Sequence, residues 1–97
     1  MEDLSSKQKE TRKLQQDLLA ALLDMSPQHY QATELPPQHN WMTTRQLANA
    51  VNVGVYRARH LLLNMLDREE VIVTDGPIGK SLRWYPTALL VVNKDDT

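Results

Sequence analysis

Two short helical patterns in the middle of the chain are separated by only three residues. The first begins at a capping box formed by Thr43 and Gln46 and carries apolar residues along one face. Asn52 tolerates the left-handed conformation that ends a helix, and Gly54 allows a tight entry into a second helix over 55–69. So short a connection between two helices is typical of a helix-turn-helix unit.

The flanking segments predict another helix and a hairpin. Leucines recur every four residues within 5–25, which predicts a first helix whose polar N-terminal half projects past the core. Three prolines break the pattern over 26–40, which we interpret as a loop insertion. After the second helix of the unit, a β-branched run from Val71 and the alternating residues 82–85 predict a β-hairpin, whose second strand Pro86 limits to an edge.

The order of these elements predicts the fold class. The chain has 97 residues, of which 41% are hydrophobic and 24% charged, which favours one small globular domain over a disordered chain. We expect a mainly α-helical winged helix-turn-helix over 1–97, with three helices and a small β-hairpin as the wing. The helix-turn-helix and wing occupy 41–86, with a short strand possible at Trp41-Met42, and 87–97 form a C-terminal tail.

Several classes of protein are disfavoured by what the sequence lacks. The chain has no cysteine, which excludes disulfides and cysteine-ligated zinc and fits a reducing compartment. It has no apolar run long enough to cross a membrane, and no secretory signal follows Met1. Its three histidines are scattered, and no nucleophile arrangement or phosphate-binding loop is present. We therefore expect a cytoplasmic protein that is not an enzyme, with no catalytic residue, cofactor or metal.

The net charge of −1 hides a local basic region. Residues 1–40 contain four Lys or Arg against six Asp or Glu. Residues 43–66, by contrast, contain three arginines and no acidic residue. A phosphate backbone interacts with the charge of the local surface that it contacts, not with the net charge of the whole chain. The helix-turn-helix region is therefore the candidate for nucleic-acid binding.

The first turns of the second helix of the unit carry the main candidate residues, Tyr56, Arg57, Arg59 and His60. Side chains at this place in a helix-turn-helix reach base edges in the major groove. Arginine binds guanine or phosphate, and Tyr56 suits a base edge, a thymine methyl or a phosphate. The alternatives are an ordinary solvated helix face and, for His60, packing at the helix edge.

Four further candidates lie outside that helix. Thr44 and Arg45 begin the preceding helix, whose amide-rich N-terminus attracts a phosphate. Lys80 and Arg83 are the candidates on the wing. A solvated hairpin explains the last two equally well, because Asp75 weakens the positive field there.

A family resemblance is carried by the run Thr44-Arg45-Gln46-Leu47-Ala48 and by Val55-Tyr56-Arg57-Ala58-Arg59-His60-Leu61-Leu62-Leu63. Over 43–85 the chain resembles the PapI/FaeA group of small winged-helix regulators of fimbrial operons. The Tyr-x-Ala-Arg step at 56–59 is the most specific part, and the hairpin end at 83–85 agrees with it. The resemblance implies a DNA-binding transcriptional regulator that acts with the global regulator Lrp on sites containing a methylatable GATC. The wing is less basic than in that family, and 26–40 is an insertion.

Few cations are available for phosphate contacts, so we expect a monomer to bind double-stranded DNA weakly and with strong salt dependence. A second subunit in a weak homodimer, or an Lrp-type partner already on the DNA, would raise the affinity through effective concentration. The alternative function is a protein-interaction module without DNA binding, motivated by the near-neutral charge and by Leu63, which we expect to point away from the core. The alternative gains if Glu69, Glu70 or Asp75 lies across the basic face.

Overall fold

Three α-helices and a small antiparallel sheet make up the fold in the computed structural model, which describes residues 6–27 and 36–90. No helix in these two ranges is long and apolar enough to span a membrane. Two short 3-10 turns lie at Gln38–Asn40 and Thr87–Leu90. The helices are α1 (Ser6–Met25), α2 (Thr44–Ala50) and α3 (Val55–Asp67), and the strands are β1 (Met42–Thr43), β2 (Val71–Val73) and β3 (Arg83–Pro86).

The turn between α2 and α3 follows the sequence closely. The predicted capping box is confirmed: Thr43 Oγ1 accepts from the Gln46 amide at 3.0 Å, and Gln46 Oε1 accepts from the Thr43 amide at 2.9 Å. Asn52 has a φ of 61°, the left-handed conformation predicted for it. Gly54 has a φ of −71°, and a Cβ built on it meets nothing within 4 Å. Gly54 therefore forms the entry into α3, in a backbone conformation that other residues could also adopt.

The sheet has the order β1-β3-β2, with both pairs antiparallel. The prediction that the strand ending at Pro86 is an edge strand was wrong, because β3 is the central strand. β1 is only two residues long and pairs with Arg83 and Trp84 alone. Pro86 extends beyond β1 and pairs only with Val71 of β2. The Thr87 amide bonds to the Glu70 carbonyl at 3.1 Å, so in this register the backbone nitrogen of its neighbour Pro86 points away from β2, toward the side where β1 has already ended. The missing amide hydrogen of Pro86 therefore faces no strand, and a central position is tolerated.

The main core lies between the sheet and the three helices. Trp84 of β3 is fully buried there and packs with Leu47 of α2. Both the α1 stripe and the buried side of α3 contribute to the same cluster. The core residues from α1 and α3 are Leu18, Leu22, Leu61, Leu62 and Met65.

Side-chain alternation along a strand predicts that only one of the adjacent residues Trp84 and Tyr85 lies in the core, but Tyr85 is fully buried as well. Adjacent strand residues point to opposite faces of a sheet, so the second face must be covered as well. Trp41 covers it, with its ring 5.4 Å from that of Tyr85, and its indole nitrogen donates to the Pro36 carbonyl at 3.0 Å. The Tyr85 hydroxyl donates to the Pro27 carbonyl at 2.8 Å. The described ends of the predicted insertion, at Pro27 and Pro36, therefore lie against this face of the sheet.

Burial raises the pKa of Tyr85 above its usual value of 10.0. Its hydroxyl therefore stays protonated in the folded chain at a pH where the unfolded chain begins to ionise. The resulting contribution to stability is complete below about pH 10 and is lost as the pH rises through the folded-state pKa.

The C-terminal tail predicted over 87–97 starts with ordered structure. Thr87 donates from its amide to the Glu70 carbonyl at 3.1 Å and from its hydroxyl to the Glu69 carbonyl at 2.8 Å. These bonds hold the 3-10 turn against the connection that leads from α3 into β2. Ser5, where the predicted first helix begins, lies outside the described residues, as do 28–35 and 91–97.

Thr44 joins α2 to the central strand from inside the core. Its side chain is 4% exposed, and its Oγ1 accepts a hydrogen bond from Trp84 Nε1 at 2.8 Å. The hydroxyl donates to the Leu82 carbonyl at 3.5 Å, and the Thr44 amide donates to the same carbonyl at 3.3 Å. The polar atoms of this residue are therefore bonded within the fold.

Replacing Thr44 with valine, which has nearly the same shape, is expected to lower the free energy of unfolding by about 1–3 kcal/mol. The indole N–H of Trp84 would be left buried without an acceptor. Urea unfolding of Thr44→Val measures the loss. In a Trp84→Phe background the same replacement is expected to cost less, because no indole N–H remains. An equal cost in both backgrounds would contradict this role of Thr44.

Candidate nucleic-acid interface

The N-terminal half of α3 presents an exposed ridge on the side opposite the core. Tyr56 is 87% exposed, and His60 and Leu63 follow it at i+4 and i+7. Leu63 is 39% exposed and points away from the main core, as predicted. The opposite side of α3 is buried and consists of Ala58, Leu61, Leu62 and Met65.

The two arginines of α3 lie on different flanks of this ridge. Arg57 and Arg59 are two residues apart, which places them about 160° from each other around a helix with 3.6 residues per turn. Tyr56 lies between them on the same helical projection. Both arginines are exposed. They therefore face separate regions of space rather than forming one cluster.

On one flank, Arg59 meets the turn between β2 and β3. The turn is closed by the Ile78 amide, which donates to the Ser81 carbonyl at 3.0 Å, and by Gly79 with a φ of 74°. This tight turn places Lys80 beside Arg59 on the walls of a cleft of about 100 Å³. Two cations from distant parts of the sequence thus border one small cleft.

On the other flank, Arg57 lies in a groove between α3 and α1. The groove has a volume of about 490 Å³ and is lined by Tyr56, Arg57 and His60 from α3. Lys7 and Thr11 of α1 form its facing wall. The N-terminal half of α1 therefore reaches the surface where the sequence placed only residues of α3.

The sequence contained a signal for Lys7 and Thr11 that we did not use. Thr11 and Lys7 lie three and seven residues before Leu14, which places them on the same side of the helix as Leu14, Leu18 and Leu22. We read the change from leucine to polar residues as the point where α1 projects past the core. The helix instead remains beside α3, so the same stripe changes from core contacts to a surface groove.

Gln15 fixes α1 against α3 next to this groove. Its side chain is only 8% exposed, and its Nε2 donates to the Leu61 carbonyl at 3.5 Å. Its Oε1 accepts from Arg68 Nη2 at 2.7 Å. A neutral amide thus links the two helices without neutralising the charge of Arg68.

Two of the predicted binding residues do not belong to the exposed surface. Thr44 is buried and bonded to Trp84, as described above. Arg83 is half-buried at the start of β3, where its Nη1 donates to the carbonyls of His39 at 2.9 Å and Trp41 at 3.3 Å. Arg83 therefore ties the 3-10 turn at 38–40 to the sheet and lies away from the tip of the β2–β3 turn.

The N-terminus of α2 is less open to a ligand than its sequence suggests. Two of its first three amides are bonded within the protein, that of Thr44 to the Leu82 carbonyl and that of Gln46 to Thr43 Oγ1. Arg45 is exposed beside them. The structure thus leaves the Arg45 side chain, rather than the helix terminus, as the candidate contact on α2.

No family model, curated protein or solved structure matches this chain. What the ridge and its two flanks bind is therefore inferred from the residues themselves. Within 6–27 and 36–90, no group of histidine and acidic residues could hold a metal ion. The chemistry that this surface offers is that of exposed cations around an aromatic side chain.

Three acidic residues lie at or just beyond the C-terminal end of α3, away from the N-terminal end of the ridge. Asp67 is the last residue of α3, eleven residues and roughly 16 Å along the helix axis from Tyr56. Glu69 and Glu70 follow it in the connection to β2, where Thr87 is bound. Among the described side chains the one salt bridge joins Lys13 and Asp17 of α1, so none of the cations on the ridge's flanks is paired with another described residue.

Proposed function

We propose that the chain is a DNA-binding transcriptional regulator with a winged helix-turn-helix fold, in which α3 is the recognition helix. The fold is supported by the element order α1-β1-α2-α3-β2-β3 and by the sheet order β1-β3-β2. The three-residue step between the capped helix α2 and α3 supports the helix-turn-helix. The β2–β3 turn, residues 74–82, is then the wing.

The observation that carries this proposal is the exposed ridge with a cation on each flank. The major groove is roughly 12 Å wide and admits one α-helix between two phosphate backbones. With Tyr56 and His60 facing the floor of the groove, Arg57 and Arg59 face its opposite walls. The arginines accordingly position the helix on phosphates, whereas the ridge meets base edges.

The wing adds a second cation on one wall. Lys80 borders the same cleft as Arg59, and a phosphate between them satisfies both charges. The placement of Glu69 and Glu70 beyond the C-terminal end of α3 also favours DNA over the alternative of a protein-interaction module. Exposed Leu63 is the feature that this alternative has in its favour.

The number of cations sets the strength of binding. Arg45, Arg57 and the Arg59–Lys80 pair give three candidate phosphate contacts, and at about −0.9 each the logarithmic salt slope is about −2.7. Such a small footprint favours action with a partner or as a weak homodimer. The family resemblance suggests a fimbrial operon as the target and an Lrp-type protein as the partner, and both belong to this proposal.

A double-mutant cycle tests the proposed function. Fluorescence anisotropy would follow a labelled 30-base-pair duplex at several salt concentrations, with wild type, Arg59→Gln, Lys80→Gln and the double variant. Each single change is expected to weaken binding by up to about 8-fold at 0.1 M salt, the value for one lost phosphate contact. The double variant is expected to lose less than the product, because both side chains contact one phosphate.

Lys13→Gln is the matched control, since it removes the same charge from an exposed lysine that already pairs with Asp17. Its affinity is expected to stay close to that of wild type. Absence of duplex binding by the wild-type chain, or an equal loss in Lys13→Gln, would overturn the proposal. The exposed ridge with Leu63 would then be tested as a protein-binding surface.

A further inference from the structure

We infer that α1 forms part of the DNA interface, with Lys7 binding the phosphate backbone on the flank of α3 opposite the wing. This inference rests on the proposed function and extends it to a helix that was not among the predicted binding elements. The recognition helix is then held from both sides, by Arg59 and Lys80 on one flank and by Arg57 and Lys7 on the other.

The geometry of the groove between α1 and α3 is the first support. Lys7 and Thr11 line it together with Tyr56, Arg57 and His60, which are the residues proposed to enter the major groove. A phosphate contacted by Arg57 therefore lies next to the wall that carries Lys7. Thr11 adds a hydroxyl, which is a common donor to phosphate oxygens.

The anchoring of α1 is the second support. A phosphate contact contributes only if the helix that carries it is held at a fixed distance from the recognition helix. Gln15 provides this through its bonds to the Leu61 carbonyl at 3.5 Å and to Arg68 at 2.7 Å. Gln15 is two turns along α1 from Lys7, so it acts as a positioning residue for the groove.

The local charge is the third support. Among the described residues, no acidic side chain lines the groove and Lys7 forms no salt bridge. On α1, Asp17 is paired with Lys13, and Glu10, three residues from Lys7, does not line the groove. Lys9 is exposed, does not line this groove, and lies about 160° around the helix from Lys7. The two lysines therefore differ in direction but hardly in position along the chain.

Lys7→Glu and Lys9→Glu form a matched pair that tests the inference. Both changes lie in the first turn of α1, where a carboxylate is favourable for the helix, and both alter the net charge equally. Neither is expected to lower the unfolding temperature. Anisotropy titrations of the same 30-base-pair duplex across a salt series would compare the two variants with wild type.

Lys7→Glu is expected to weaken binding at least about 8-fold at 0.1 M salt and to reduce the salt slope by about 0.9. Lys9→Glu is expected to change the affinity by no more than about twofold, since its charge faces away and is screened. Equal losses in the two variants, or no loss in Lys7→Glu, would overturn the inference. If Arg59→Gln still weakened binding in that case, the proposed function would survive. If wild type bound no duplex, both would fail.

Discussion

Replacing Trp84 with alanine is expected to lower the free energy of unfolding by about 3–5 kcal/mol, the range for deleting a buried aromatic side chain. Trp84 is fully buried where the central strand meets the helical core, and its indole N–H donates a hydrogen bond to Thr44 Oγ1. A domain of this size is stable by only about 5–15 kcal/mol. The loss is therefore large enough to bring part of the population to the unfolded state at 37 °C.

Trp41→Ala provides the comparison for this prediction. Trp41 is also buried, but it covers the second face of the sheet near the surface, so water can fill part of the space that it leaves. Its removal is expected to cost less than that of Trp84. Urea unfolding measures both variants, because each retains the other tryptophan as a fluorescent probe. A larger loss in Trp41→Ala would contradict the assignment of the main core to the face of the sheet that carries Trp84.

Local signals in the sequence predicted the helical part of the fold well. The capping box at Thr43 and the left-handed residue Asn52 depend on bonds between near neighbours, so both ends of α2 were visible without tertiary information. The central position of β3 was not visible. It depends on β1 being two residues long and stopping before Pro86, and no local pattern encodes that pairing.

The site residues also divide into those that local patterns predict and those that depend on tertiary contacts. The exposure of Tyr56, Arg57 and Arg59 follows from the period of α3, because buried residues on one side fix the opposite side. Thr44 and Arg83 were assigned to the surface because their burial comes from partners 38–44 residues away. Lys7 was missed for a related reason. Its neighbours in the groove belong to α3, and only the packing of α1 on α3 brings them together.

The double variant Arg57→Gln/Arg59→Gln is expected to lose the most DNA affinity. Two phosphate contacts at about −0.9 each correspond to a loss of about 60-fold at 0.1 M salt and a salt slope shallower by about 1.8. Because the arginines face the groove walls, the loss is expected to be equal for a duplex recovered by selection from a random library and for a scrambled duplex. Both side chains are exposed, so the unfolding curve is expected to stay unchanged.

Tyr56→Ala is the contrasting variant, since it removes a ridge residue and no charge. It is expected to leave the salt slope unchanged and to reduce the preference for the selected duplex by about 1–3 kcal/mol, the range for one base contact. Competition titrations with both duplexes separate the two effects. The opposite result is that the arginine variant loses specificity and that neither variant changes the salt slope. It would mean that α3 is rotated about its axis in the major groove relative to this proposal. The arginine flanks would then be the base-reading surface and the Tyr56 ridge would lie against the backbone.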